Sequence, residues 1–239
     1  MKKCNNCGEH LIDSHRFCPK CGNRTYTIKN TTQIEREVYN VFLIFFSQLT
    51  FIAFLLLYRN ELDSPIIIDL VFAIIAVILS IRFYKVLKPS LAIQRFSIKK
   101  SLQYAGIQTI ITSFTFLVSY TLTQIFDLNS STIKSEYEHY SYPFIIAFIS
   151  IAIMPAIIEE LVFRGVLFGQ LLKLIHEKSV IIVTGILFAI IHFNFIGFIW
   201  LIPAGIYLGW LRYKEHTIWY GSLCHFIHNG ICVIVVYYN

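Results

Sequence analysis

Residues 143–165 read PFIIAFISIAIMPAIIEELVFRG, and the reading of this stretch decides the fold. Apart from Glu159, Glu160 and Arg164 it is almost wholly apolar, and about 20 such residues cross a ~30 Å hydrocarbon layer as a helix. On a soluble protein the three charges would sit on a solvated helix face. The rest of the chain argues against that: 56% of its 239 residues are hydrophobic and 14% charged, with positive mean hydropathy. Soluble domains carry about a quarter charged residues.

Further runs of near-spanning length lie at roughly 38–58, 65–84, 102–126 and 217–237. The stretch 179–211 holds no Asp, Glu, Lys or Arg but is broken by Gly185, Gly197 and Pro203, which predicts two short helices in a hairpin. The expected fold is therefore all-α: a polytopic transmembrane helical bundle over 38–239. It has about seven membrane helices, or eight if a helix near 165–176 is counted separately. The first run follows a polar, cysteine-bearing segment and does not read as a cleavable signal peptide. Loop charge orients the bundle, because Lys and Arg stay on the cytoplasmic side. Arg82, Lys85, Lys88, Arg95, Lys99 and Lys100 share one loop, whereas 59–64 and 127–142 are net acidic. Lys173 with Lys178, and Arg212 with Lys214, fall on the basic side again. The N-terminus is expected in the cytoplasm and the C-terminus outside. The polar N-terminus and these loops account for the net +6, so no nucleic-acid partner is expected. No internal repeat is evident.

The head, 1–26, reads MKKCNNCGEHLIDSHRFCPKCGNRTY, and residues 27–37 form a linker. Cys4-x-x-Cys7 and Cys18-x-x-Cys21, each followed by glycine (Gly8, Gly22), suit a tetrahedral zinc ion held by four thiolates. Disulfides are disfavoured in a cytoplasmic head. A four-cysteine shell is closed, so this zinc is structural, and a unit so small depends on it for folding. The head resembles the zinc ribbons at the N-termini of many bacterial membrane proteins, which implies a cytoplasmic interaction partner. His10 and His15 read as surface residues, and Cys224 and Cys232 as small packing residues.

Within 155–165, Glu160 and Arg164 are four apart, in the favourable order for an ion pair on one helix face. Glu159 lies about 100° round the helix and is left without a local cation. An ionised carboxylate at mid-bilayer is costly unless paired or hydrated, which makes Glu159 a functional candidate as a base. His192, in FAIIH (188–192), lies near the tip of the hairpin, and His225 and Asn229, in HFIHN (225–229), are again four apart. His228 reads as a packing residue.

EELVFR (159–164), FAIIH and HFIHN together resemble the EExxxR, FxxxH and HxxxN motifs of the CPBP family: type II CAAX prenyl endopeptidases, Abi proteins and bacteriocin-processing or self-immunity proteins. The resemblance covers about 143–239. It implies an intramembrane glutamic-type endopeptidase acting on a peptide or membrane-protein substrate among membrane lipids. Glu159 would be the general base that activates water, His192 would hold that water, and His225 and Asn229 would stabilise the oxyanion. Glu160 and Arg164 would support Glu159. No metal is expected at this catalytic site. A Glu with two or three His could hold a zinc, but the sequence contains no HExxH. Two rivals use the same residues: a non-catalytic immunity or scaffold protein, and a transporter, which would usually carry repeated halves. The ribbon fusion and the Ile- and Asn-rich composition point to a bacterial cell membrane.

Overall fold

The computed structural model describes residues 2–4, 6–11, 18, 20–21, 31–58, 65–93, 96–126, 136–195 and 197–238, with backbone alone at 119–120 and 122–126. His15, Gly22, Arg95, the loop at 59–64 and most of that at 127–142 lie outside these residues. The chain divides into two compact units, Met1–Val38 and Tyr39–Asn239.

In the first unit β1 (Lys2–Lys3) pairs antiparallel with β2 (His10–Leu11), a pair of two-residue strands within the cysteine-bearing head. The Cys4–Cys7 knuckle lies in the turn between them. Gly8 takes φ 73°, a left-handed conformation open to glycine at little cost. This turn lets Gly8 N–H donate to Cys4 O at 2.9 Å and Cys4 N–H donate to Glu9 O at 2.8 Å. All four cysteines are free thiols, and their Sγ atoms lie within 4.8 Å of one another. Cys4 and Cys21 are 3.6 Å apart, Cys7 and Cys18 3.4 Å. Zinc–sulfur bonds of ~2.3 Å in a tetrahedron put sulfurs about 3.8 Å apart, so the quartet fits a structural zinc. His10 is exposed on β2 and outside the cluster. Chelation is expected to release one zinc per chain and expose four titratable thiols as the head loses protease resistance. Thiol titration alongside limited proteolysis checks this.

Helix α1 (Thr31–Leu57) leads into the second unit, followed by α2 (Pro65–Arg82), α3 (Tyr84–Leu87) with a 3₁₀ turn at Lys88–Leu91, and α4 (Ile98–Phe126). The opening stretch lies in one long helix, α5 (Pro143–Leu171), followed by α6 (Glu177–Ile190), α7 (Phe198–Glu215) and α8 (Trp219–Tyr238). Four of these, α1, α2, α5 and α8, are long and apolar enough to cross a membrane, and the protein is a membrane protein. The expected count of seven or eight is not reached by that measure. α6 has 14 residues and α7 carries Arg212, Lys214 and Glu215 in its last turns.

α5 and α8 are the most buried of the four spans, and residues of α5 form the middle of the largest apolar core. There Val162, Phe163, Val166, Leu167 and Phe168 pack against Ile44 and Phe45 of α1, Leu79 of α2, and Val180, Ile181 and Phe188 of α6. α6 and α7 cross where Gly185 meets Gly205: a Cβ on Gly205 would lie 2.8 Å from Gly185 Cα. No larger residue fits that backbone contact.

The basic loop of the sequence is ordered over α3 and the 3₁₀ turn and anchors the start of α8. Ser90 O accepts from Ile218 N–H at 3.0 Å and Thr217 Oγ1 at 3.1 Å, and Leu91 O accepts from Trp219 Nε1 at 3.2 Å. At the end of α7, Glu215 accepts hydrogen bonds from Lys100 Nζ and from Tyr104 Oη, the latter at 2.7 Å. Burial raises the Glu215 carboxyl, but the lysine and the phenol outweigh it and hold the group below the usual carboxylate range. A folded value below the unfolded one, about 4.3, stabilises the fold above that pH and is lost as pH falls through the folded value. The melting temperature of Glu215→Gln should be below wild type at neutral pH. The two melting curves should converge on acidification, as thermal melts from pH 7 downward would record.

Candidate active site

Glu159 and Glu160 stand at the end of a short α-helical segment, Met154–Glu160, between two π-helical segments of α5, Ile149–Ile153 and Leu161–Leu167. Pro155 accounts for the first. It has no N–H, so Ile151 O, four residues back, loses its α-helical donor. Asn229 of α8 fills that place: its Nδ2 donates to Ile151 O at 2.8 Å. One of the two N–H groups expected at an oxyanion is thus committed to the backbone beneath Glu159.

Glu160 and Arg164 are fully buried. Arg164 Nη1 lies 3.0 Å from Glu160 Oε1, out of line for a straight hydrogen bond, and Nη2 donates to Gly205 O at 3.2 Å. The guanidinium lies 4.2 Å above the ring of Phe188, a cation–π contact that helps offset the lost hydration. Arg212 Nε donates to Arg164 O at 3.0 Å, tying α7 to the same turn. On the other side of Glu160 stands Gly221, where a Cβ would lie 2.7 Å from Glu160 Oε2. Glycine leaves room there for the carboxylate.

His225 bridges the two glutamates: Nδ1 is 3.3 Å from Glu160 Oε1 and Nε2 is 3.9 Å from Glu159 Oε2. A carboxylate beside Nδ1 requires a proton on that nitrogen. His192 lies just beyond the end of α6, because its N–H turns back to Ala189 O at 3.1 Å in a tightened last turn. Its Nδ1 donates to Phe188 O at 2.7 Å, one of the carbonyls a helix end leaves free. A carbonyl cannot donate, so the proton is on Nδ1, and Nε2 of the neutral ring is an acceptor. Phe188 is the hub of the site, in contact with Arg164, with the ring of His192 at 4.8 Å and with that of His225 at 5.8 Å.

Glu159 and His192 line a cavity of about 180 Å³ whose other walls come from α1 and α2, including Phe51, Leu55 and Phe72. Glu159 Oε2 is buried without a hydrogen-bond partner. The six polar residues picked out in the sequence thus fall into two layers. Glu159 and His192 line the cavity, while Glu160, Arg164 and His225 are buried behind it and Asn229 is half-buried on α8. His228 faces elsewhere, toward Thr112 of α4 at 3.1 Å, as a helix-packing residue. The sequence reading missed Asp69, which lines the same cavity from α2. The signal was present: it is an acid within an apolar span, the rule that singled out Glu159.

Residues 141–231 match the type II CAAX prenyl endopeptidase Rce1-like family, and residues 3–25 match the zinc-ribbon domain. No curated protein and no solved structure matches the chain.

Proposed function

From the premise that the chain carries an Rce1-like type II CAAX prenyl endopeptidase domain behind a zinc ribbon, we propose that it is an intramembrane endopeptidase of glutamic type. Glu159 takes a proton from water as that water attacks the scissile carbonyl of a peptide or membrane-protein segment. The observation that carries this reading is the contrast between two adjacent acids. Glu160 is fully buried, with Arg164 at 3.0 Å and His225 at 3.3 Å, and like Glu159 it keeps one unpartnered oxygen; of the two, Glu159 alone lines the cavity, which it shares with His192.

In this reading His192 Nε2 accepts from the attacking water and orients it, since Nδ1 is already committed to Phe188 O. His225 donates to the developing oxyanion from Nε2, together with the second N–H of Asn229. Donors fixed in a dry site stabilise such charge more strongly than water does. Glu160 and Arg164 position His225 and the turn bearing Glu159. No metal takes part. The N-terminus and the ribbon stand on the cytoplasmic side of a bacterial cell membrane, where the ribbon binds a partner.

The experiment compares peptides and membrane-protein fragments from cells carrying wild type and Glu159→Ala. Fragments present with wild type and missing from the variant are expected; identical fragment sets would overturn the peptidase reading. A zinc ion retained by a Cys4→Ser, Cys7→Ser protein that still cleaves peptides would overturn metal-free catalysis.

A further inference from the structure

Three polar residues stand in the wall of the Glu159 cavity: Glu159, His192 and Asp69. The rest of the lining is aliphatic or aromatic, with Met154 and Pro155. Asp69 comes from α2, outside the part of the chain that matches the endopeptidase family. Its Oδ2, like Glu159 Oε2, is buried without a hydrogen-bond partner. The groups that face Asp69 are the Ser150 hydroxyl of α5, the Tyr137 phenol and the Glu159 carboxylate. None of these is a cation. Of the residues lining the cavity, His192 alone can carry positive charge, against two carboxylates. Arg164, on the helix of Glu159, is committed to Glu160, Gly205 O and the face of Phe188.

Glu159 has His225 Nε2 at 3.9 Å, but among the described residues no cation faces Asp69, and in low-dielectric surroundings a carboxylate without a counter-ion is costly. The volume, about 180 Å³, is the space of about six water molecules and admits one long side chain. A lysine or arginine fits both features, its methylene stem against the apolar wall and its charged head at a carboxylate.

We infer that Asp69 is a specificity-determining residue, the counter-ion for a single lysine or arginine that an otherwise apolar substrate segment places beside the bond Glu159 attacks. The inference rests on the peptidase reading for the peptide nature of the ligand, and the two can fail separately.

The test uses the full chain in nanodiscs of phosphatidylcholine, which carries no net charge, and a library of apolar peptides in which one position at a time is lysine, norleucine or glutamate. Mass spectrometry reads both the peptides retained and the peptides cleaved. Wild type should retain the lysine peptide over its norleucine twin about tenfold at one position. Asp69→Asn should bring that ratio close to one, Asp69→Lys should reverse it toward glutamate, and Asp69→Glu, which keeps the charge, should preserve it. Should a variant fail to fold by thermal melting, the remaining two decide. The inference is overturned if wild type shows no lysine preference, or if the preference survives Asp69→Asn and Asp69→Lys. Retention that depends on Asp69 with no cleavage by wild type would overturn the peptidase reading and uphold this one. Cleavage with no dependence on Asp69 would do the reverse.

Discussion

Glu159→Gln is expected to lower peptide cleavage by roughly 10³-fold, the scale of a positioned general base, while leaving the melting temperature close to wild type. Glutamine keeps the size and shape of glutamate but cannot accept the proton. The fold should tolerate it because Glu159 Oε2 has no hydrogen-bond partner and His225 Nε2 stands 3.9 Å from it, beyond hydrogen-bond reach. Cleavage assays beside thermal melts of the purified protein check both halves. Cleavage at the wild-type rate would remove Glu159 from the mechanism.

The second large effect concerns stability. Arg164→Met should destabilise the bundle by about 3–5 kcal/mol, because it strands the Glu160 carboxylate in a fully buried position. Glu160→Leu alone should cost a similar amount by leaving the guanidinium unpaired. The double replacement should recover most of that loss, since two apolar side chains of similar volume need no hydration. Activity should not recover with it, because Glu160 Oε1 also faces His225 Nδ1. Denaturation of the four proteins, with cleavage assayed on each, separates fold from chemistry. A stable double variant with full activity would show that the pair has no part in placing His225.

These two expectations divide along what could be read from the residues. The spacing of Glu160 and Arg164 made their ion pair legible, because two residues four apart on one helix meet whatever surrounds them. The separation of Glu159 from that pair followed from the same geometry. Contacts between helices distant in sequence were not legible. His225 lies between both glutamates because α8 packs against α5, and nothing local to 225 encodes that. The role of Asn229 was hidden for the same reason, although Pro155 announces a missing donor at Ile151. The end of α6 before His192 depends on a tightened last turn that apolar periodicity does not resolve. The ordered path through α3 and the 3₁₀ turn was hidden by its positive charge, which reads as solvated loop until Ser90 and Leu91 are seen to accept from the start of α8.

The bond from Asn229 to Ile151 O makes Pro155 and Asn229 a single part in two pieces. An engineer moving the glutamate pair onto another helical scaffold would have to move both. A helix with an ordinary residue at 155 supplies its own donor and leaves the asparagine idle; one with the proline but no asparagine starves a carbonyl beneath the base. Sequence libraries that randomise the two positions together should therefore yield functional clones in matched pairs rather than as independent choices.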